Sequence, residues 1–204
     1  MSGTDQYLTI AGPARGEYKE KGSKFLAFAY PVNSEEQILE LLSDLRKSFH
    51  DASHHCYAWR LGAEMDHYRV NDDGEPSGSA GNPIFGQIHS RNLTNVLVVV
   101  VRYFGGTLLG VGGLIKAYRR SAREALAKAR EVRKKVETEV RIRYGYEQMN
   151  PVMSLVKELG IGTKNQEFDM VCTMTLVVWD RFLDQAMKRL ALIEDCHVEI
   201  ITST

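Results

Sequence analysis

The segment from residue 95 to residue 129, NVLVVVVRYFGGTLLGVGGLIKAYRRSAREALAKA, constrains the fold of this 204-residue chain more than any other. It begins with six consecutive apolar residues, 96–101, which are typical of a strand in the middle of a sheet, covered on both faces. Five glycines between residues 105 and 113 then predict a sharp turn with exposed backbone N–H groups. A helix that begins at such a turn directs its positive dipole end towards it. The segment therefore predicts an anion-binding site.

The helix after this turn has two chemically different faces. Its apolar face comprises Leu114, Tyr118, Ala122, Ala125, Leu126 and Ala129, and its basic face comprises Lys116, Arg119, Arg120, Arg123 and Arg130. The chain is formally neutral, yet residues 102–135 carry a net charge of +8 and residues 35–75 a net charge of −6. The basic face either binds phosphates or is a solvated helix surface. The acidic segment either lies apart from that face or neutralises it.

A second glycine-rich segment, NDDGEPSGSAGNP at residues 71–83, separates a short strand from a modest helix. Its backbone N–H groups and the hydroxyls of Ser77 and Ser79 can cradle a phosphate. However, no Gly-Lys-Ser/Thr sequence follows, as a Walker loop requires. The alternative is a tight connection with positive φ angles, in which Ser77 or Ser79 caps the next helix.

Three acidic residues lie in the same segment: Asp72, Asp73 and Glu75. They lack the spacing of a calcium-binding loop and its distal bidentate glutamate, so no metal site is predicted. We expect these side chains to cap a helix or to pair with Arg69 or Arg102.

A joint nucleophile or metal site of His55 with Cys56 is disfavoured, whereas a site of His54 with Cys56 stays open, without an identifiable partner carboxylate. Strand alternation directs His54 and Cys56 to one face and His55 to the other. A buried strand thiol is more common than a catalytic one. The sequence shows no complete catalytic triad and no evident acid and base pair of carboxylates. We therefore predict no catalytic residue, no metal and no cofactor, and a binding protein rather than an enzyme.

Two aromatic residues, Tyr103 and Phe104, stand between the apolar strand and the glycine turn. Aromatic rings in nucleic-acid sites stack on bases. Neighbouring strand residues point to opposite faces, so at most one of these two rings is expected to face outward.

The first part of the chain predicts a mixed α/β fold. Strands are predicted at residues 7–11, 25–32, 55–61 and 67–70, with breaks at 13–16 and 21–23. Ser34 is predicted to cap a helix, with Gln37 in capping-box position. A short helix is predicted at residues 84–89, and the basic helix at residues 113–130.

The pattern starts again after a polar junction at residues 131–135. Strands are predicted at residues 136–144, 161–166, 169–178 and 197–201. Helices are predicted from Pro151 to a stop at Gly160 and over residues 180–192. The order is βαββαβ, the ferredoxin-like split pattern, and this part of the chain is acidic.

The sequence has neither an apolar run of the roughly 20 residues that span a membrane nor a secretory signal pattern. Its three cysteines, at positions 56, 172 and 196, share no close spacing, which is typical of free thiols in a reducing compartment. We therefore expect a cytoplasmic protein without membrane association.

Four motifs occur in order along the first two thirds of the chain: KGSKF at 21–25, HHCYA at 54–58, DGEPSGSAG at 73–81 and RYFGG at 102–106, followed by LLG at 108–110. Together they resemble the YigZ/IMPACT family. The last third resembles the C-terminal domain of bacterial YigZ-type members.

The resemblance implies an α+β protein of two domains. Residues 1–134 are expected to form an Impact-like N-terminal domain with a ribosomal-protein-like α/β fold, similar to domain IV of elongation factor G and to small-molecule kinases. Residues 135–204 are expected to form a ferredoxin-like domain, similar to the last domain of elongation factor G. Eukaryotic members regulate translation by blocking activation of an initiation-factor kinase through a protein partner, with an additional N-terminal domain that we do not expect here.

These observations predict a non-catalytic protein that binds RNA or a ribonucleoprotein and regulates translation. The predicted anion-binding residues are Lys24, Ser77, Ser79, Arg102, Lys116, Arg119, Arg120 and Arg123. Two alternatives remain open: a regulator that acts through a protein partner, and a small-molecule phosphotransfer enzyme that uses the loop at residues 74–81. The candidate partners are accordingly an RNA, a ribosome-associated particle or a protein.

Overall fold

The computed structural model describes residues 5–201, which divide into two compact units. One unit is residues 7–134, and the other combines residues 5–6 with residues 135–201. The ends of the two predicted domains, residues 1–4 and 202–204, lie outside the described residues. The chain is a mixed α+β protein, as predicted, and its four- and five-stranded sheets are antiparallel.

The elements from the first strand to residue 135 follow in chain order. They are β1 Gln6–Ile10, β2 Ala14–Glu20, β3 Ser23–Pro31, α1 Glu35–Ser48, β4 His54–Leu61, β5 His67–Asn71, α2 Gly81–Ser90, β6 Val96–Tyr103, α3 Gly110–Lys128 and β7 Glu131–Lys135.

The valine-rich strand β6 is central in an antiparallel sheet with the order β2-β3-β6-β4-β5. One face of this sheet packs against α2 and α3, and the other packs against α1. Val96 to Val101 are all fully buried, because helices cover both faces of the strand. The expectation of a central strand covered on both faces is therefore confirmed.

Helix α1 starts as its sequence predicts. The Ser34 hydroxyl accepts the N–H of Gln37 at 3.3 Å. The Gln37 side chain accepts the N–H of Asn33 at 3.0 Å, one residue before the cap. Ile38, Leu42 and Leu45 are buried against the sheet, so the acidic residues of α1 lie on the opposite side of the sheet from α3.

Strands β2 and β7 are not predicted by the sequence, because both are largely polar. The predicted break at residues 13–16 is wrong, since β2 pairs with β3 from Ala14 onward. Gly16 is needed for a close approach: a Cβ there would overlap the backbone of α3 at Glu124 and Ala125. The predicted polar junction is strand β7, which pairs with β1.

Helix α3 begins at Gly110, earlier than the predicted residue 113. Gly110 has a φ of 68°, which favours glycine. No side chain caps the start of the helix at Leu109, and its first turn contains no acidic residue. The predicted apolar face is buried from Leu114 to Leu126, with Ala129 half-buried at the end.

The second unit contains β8 Glu137–Gly145, α4 Met149–Leu159, β9 Gly162–Glu167, β10 Val171–Trp179, α5 Leu183–Leu190 and β11 His197–Ile201. This is the predicted βαββαβ order of elements. The antiparallel sheet has the order β11-β8-β10-β9. Gly160 ends α4 in the left-handed conformation, as predicted, with a φ of 60°. Helix α5 is shorter than predicted, because residues 180–182 form a 3₁₀ turn.

The core of this unit joins the sheet to its two helices. Ile142 and Met174 are fully buried from the sheet, and Val152 and Leu190 from the helices. Within the described part of the chain, no helix is long and apolar enough to cross a membrane.

Candidate nucleic-acid interface

The four sequence motifs meet at one end of the five-stranded sheet. Strand register places Arg102 between Phe25 on β3 and His54 on β4. The glycine turn after β6 lies directly on the turn between β2 and β3, because a Cβ on Gly105 would overlap the backbone of Gly22. The Gly105 N–H also donates to the Ser23 hydroxyl at 3.2 Å. The strand pairing therefore brings distant segments of the sequence together.

Arg102 is buried at this meeting point, with 5% of its surface exposed. Its guanidinium forms an ion pair with Glu75 at 2.6 Å. The same carboxylate oxygen accepts the Tyr118 hydroxyl from α3 at 2.6 Å. The expected pairing of the acidic loop with Arg102 is therefore confirmed, and this guanidinium already has an internal counter-charge.

The Asp72 carboxylate accepts backbone N–H groups before and at the start of α2. It accepts the N–H groups of Gly78 at 2.8 Å, Ala80 at 3.0 Å and Gly81 at 2.8 Å. Partial burial alone would raise the pKa of Asp72, but these three hydrogen bonds outweigh it and leave the pKa below its usual value. A phosphate in this loop would have to compete with the Asp72 carboxylate for the same donors.

The two serines of the loop lie in different environments. Ser77 is exposed. Ser79 is fully buried, and its hydroxyl has no hydrogen-bond partner among the described residues. No side chain caps α2 at its N-cap position, so the expectation that Ser77 or Ser79 caps this helix is wrong. The third acidic residue, Asp73, accepts the N–H of His55 at 2.6 Å and pairs with Arg46 at 3.2 Å.

His54 and Cys56 share one face of β4, and His55 lies on the other, as predicted. Cys56 packs in the core beneath α3, where its thiol lies 3.3 Å from the Tyr118 hydroxyl. Burial raises the pKa of Cys56 far above its usual value, so the thiol stays protonated. Residues 5–201 contain no cluster of three or more His, Cys, Asp or Glu side chains that could hold a metal ion.

The basic face of α3 is exposed at Lys116, Arg119, Arg120 and Arg123. No carboxylate of residues 5–201 lies within 4.0 Å of any of these four side chains. The acids of α1 lie across the sheet and do not cover it. Four of the predicted anion-binding residues therefore form one exposed positive row.

Among the four cations of this row, Arg120 makes the side-chain contacts with Tyr18. Its guanidinium donates to the Tyr18 hydroxyl at 3.3 Å and lies 5.3 Å from the centre of the Tyr18 ring. Tyr18 in turn donates to Glu20. The hydrogen bond to Tyr18 raises the pKa of Arg120. Elsewhere on the same unit, the half-buried Lys24 lies 3.8 Å from Glu17.

Only one of the two aromatic residues before the glycine turn is free to contact a ligand. Tyr103 is half-buried, and its hydroxyl donates to Asp51 at 2.8 Å. Phe104 is 49% exposed and lies over the Arg102 guanidinium, 5.7 Å from it. The expectation that at most one ring faces outward is therefore confirmed.

Sequence reasoning missed the polar role of Tyr118, which it placed on the apolar face of α3. The signal was present, because a buried tyrosine hydroxyl needs a hydrogen-bond partner. Sequence reasoning also gave no role to Leu108 and Val111, which are 84% and 52% exposed beside the start of α3.

Comparisons with known proteins point to one family. The Impact N-terminal domain family matches residues 21–126, more than half of the chain. IMPACT family member YigZ of Escherichia coli is 34% identical over 154 residues, covering 74% of this chain and 76% of that protein. The protein IMPACT homolog of Saccharomyces cerevisiae is 36% identical over 115 residues, covering 54% of this chain and 43% of that protein. The crystal structure of a hypothetical protein superposes with a TM-score of 0.75 and 27% identity, covering 98% of this chain and 100% of that one.

Proposed function

Because this chain belongs to the YigZ/IMPACT family, we propose that it is a non-catalytic RNA- or ribonucleoprotein-binding protein that regulates translation. One observation carries the proposal: the basic face of α3 is exposed, and none of its four cations has a carboxylate of the described chain within 4.0 Å. The sequence from Gly105 to Arg123 also contains no acidic residue. Phosphates that bind such a surface release counter-ions, which favours association.

The geometry of α3 suits a polyanion. Lys116 and Arg123 are two helical turns apart, so the row extends about 10 Å at 1.5 Å per residue. We assign phosphate contacts to Lys116, Arg119, Arg120 and Arg123, with Lys24 as a further contact on the same unit. Arg102 and Ser79 are buried, and we assign no phosphate contact to either. Arg102 holds the loop in place through Glu75. Ser77 is the exposed candidate of that loop.

The proposal includes two fold assignments. We propose that residues 1–134 are the Impact-like domain, similar to domain IV of elongation factor G. We propose that residues 135–204 are a ferredoxin-like domain, similar to its last domain. The βαββαβ order and the sheet order β11-β8-β10-β9 support the second assignment.

The test replaces Lys116, Arg119 and Arg123 together with Glu, and leaves Arg120 and its contact with Tyr18 intact. Binding of a fluorescent single-stranded RNA is measured by anisotropy between 50 and 200 mM salt. The unaltered protein should lose roughly 50- to 130-fold in affinity over this range for the four or five phosphate contacts assigned above. The triple variant should not bind.

A matched control reverses three exposed cations of the other unit: Arg143, Lys157 and Lys188. The control changes net charge equally and should retain RNA binding. The proposal would be refuted if the α3 variant and the unaltered protein bound RNA equally. It would also be refuted if the affinity for RNA did not change between 50 and 200 mM salt.

A regulator that acts through a protein partner is the second candidate, because the family resemblance implies such a partner for eukaryotic members and the Saccharomyces cerevisiae IMPACT homolog matches 54% of this chain. Capture of one partner that resists RNase, with no RNA bound, would favour it. The loop at residues 74–81 gives little support to a phosphotransfer enzyme, because Asp72 occupies its backbone donors.

A further inference from the structure

Phe104 is an exposed ring where β6 meets the glycine turn. About half of the residue, 49%, is accessible to solvent, whereas the neighbouring Tyr103 is tied to Asp51. Helix α3 begins six residues later, at Gly110, and its basic row begins at Lys116. Leu108 and Val111 follow within seven residues and are also exposed, at 84% and 52%. Grouped exposed apolar side chains are typical of a contact site, whereas single ones are not.

One cation contacts the Phe104 ring, and hydrogen bonds fix the backbone that carries it. The ring lies over Arg102, whose guanidinium is fixed by Glu75 at 2.6 Å. The Phe104 N–H donates to the Ser53 hydroxyl at 3.4 Å, and the next N–H, of Gly105, donates to Ser23 at 3.2 Å. The position of the Phe104 side chain is therefore largely set before a ligand binds. Stacking on this ring costs little side-chain entropy of the protein.

Charge limits which ligand fits beside this ring. No acidic residue occurs from Phe104 to Arg123, and the cations of α3 have no carboxylate of the described chain within 4.0 Å. An exposed ring on the same unit as a row of cations that form no ion pair within the described chain suits a molecule that carries flat, uncharged rings and regularly spaced negative charges. Nucleic acid has this chemistry, with bases for the ring and phosphates for the helix.

On the basis of the RNA-binding function proposed above, we propose that Phe104 stacks on an unpaired base while the basic face of α3 binds the flanking phosphates. The ligand is then single-stranded RNA. Bases inside a duplex are covered on both faces by their neighbours and offer no face to a protein ring, whereas bases in single strands and loops do.

The test measures three 12-nucleotide probes by anisotropy: a single-stranded RNA, the same RNA annealed to its complement, and an abasic ribose-phosphate chain. Phe104→Ala should weaken binding of the single strand by about 5- to 150-fold, the range expected for losing one stacked base. Its affinity for the abasic chain and the duplex should stay unchanged. Leu108→Ala is the matched control, since it removes a neighbouring exposed apolar side chain without a π face, and it should bind like the unaltered protein.

Phe104→Trp supplies a direct readout of stacking. Its added indole fluorescence should be quenched by the single strand and not by the abasic chain. If Phe104→Ala binds the single strand as well as the unaltered protein, or if Leu108→Ala is equally impaired, the stacking proposal is overturned. If charge reversal on α3 still abolishes binding in that case, the proposed function stands without it. If charge reversal on α3 changes nothing, both proposals fail.

Discussion

Arg102 and Arg119 belong to the same basic segment of the sequence, yet the structure gives them opposite environments. Arg102 is 5% exposed and paired with Glu75 at 2.6 Å. Arg119 is exposed, and no carboxylate of residues 5–201 lies within 4.0 Å. A count of positive charges predicts the net charge of a segment. It does not predict which of those side chains are exposed, because that depends on strand register.

The physical cause is the position of each residue. Arg102 lies on the central strand, between β3 and β4, where a guanidinium leaves water and needs a buried partner. Glu75 supplies that partner from a loop 27 positions away in sequence. Arg119 lies on the solvent side of α3 and keeps its hydration.

The same substitution in both regions is the strongest way to break this comparison. Arg102→Leu should lower the free energy of unfolding by about 3–5 kcal/mol, because it leaves the Glu75 carboxylate buried without its counter-charge. Arg119→Leu should change it by no more than about 0.5 kcal/mol. Urea unfolding followed by circular dichroism measures both.

The double variant Arg102→Leu/Glu75→Leu serves as the control for the first prediction. It should recover part of the loss, because neither charge then remains buried alone. Equal stability of the Arg102 and Arg119 variants would contradict the difference drawn between the two regions.

Asp72 extends the comparison to a half-buried anion that is held by backbone N–H groups. Asp72→Ala removes the acceptor for three backbone N–H groups and should cost about 1–3 kcal/mol in unfolding free energy. The folded-state pKa of Asp72 lies below its usual value of about 3.9. Its contribution should therefore be complete above about pH 3.9 and decline as the pH falls through the lower folded-state pKa.

That decline should be absent from the pH dependence of Asp72→Ala unfolding. A variant that loses no stability at pH 7 would show that the loop does not depend on this carboxylate.

The smallest expected effect on the free energy of unfolding comes from His55. This buried residue extends the comparison of buried and exposed cations to one whose charge depends on pH. Burial lowers the pKa of His55, more than the nearby Asp73 raises it. The unfolded state therefore binds the proton more readily, and stability should fall as the pH drops below about 6.5, by at most about 1.4 kcal/mol per pH unit. His55→Asn should flatten this slope between pH 7.5 and 5. Parallel slopes in the unaltered protein and the His55 variant would contradict the prediction.

Much of the fold follows from local patterns. The run from Val96 to Val101 predicted the central strand, and the spacing of Leu114, Tyr118 and Leu126 predicted the buried face of α3. Ser34 and Gly160 predicted one helix start and one helix end. Each of these signals lies within a few residues of the structure that it specifies.

The rest depends on contacts between distant segments. Strand β2 is polar and contains Gly16, so its sequence resembles a loop until α3 is placed beside it. Which of Arg102 and Arg119 binds an internal carboxylate depends on the register of β3, β6 and β4. The assignment of Asp72, rather than a serine, to the start of α2 depends on how the loop folds back.

The contact between Gly16 and α3 has a consequence for the arginines, although it lies on the buried side of the helix. A Cβ at position 16 would overlap the α3 backbone at Glu124 and Ala125. The distance between α3 and strand β2 is therefore one that only glycine permits. A larger residue at position 16 would displace or rotate helix α3 as a unit. The direction of every exposed guanidinium on the helix would then change together. The direction in which the protein presents its positive charge is thus governed from underneath, by a residue that carries no side chain.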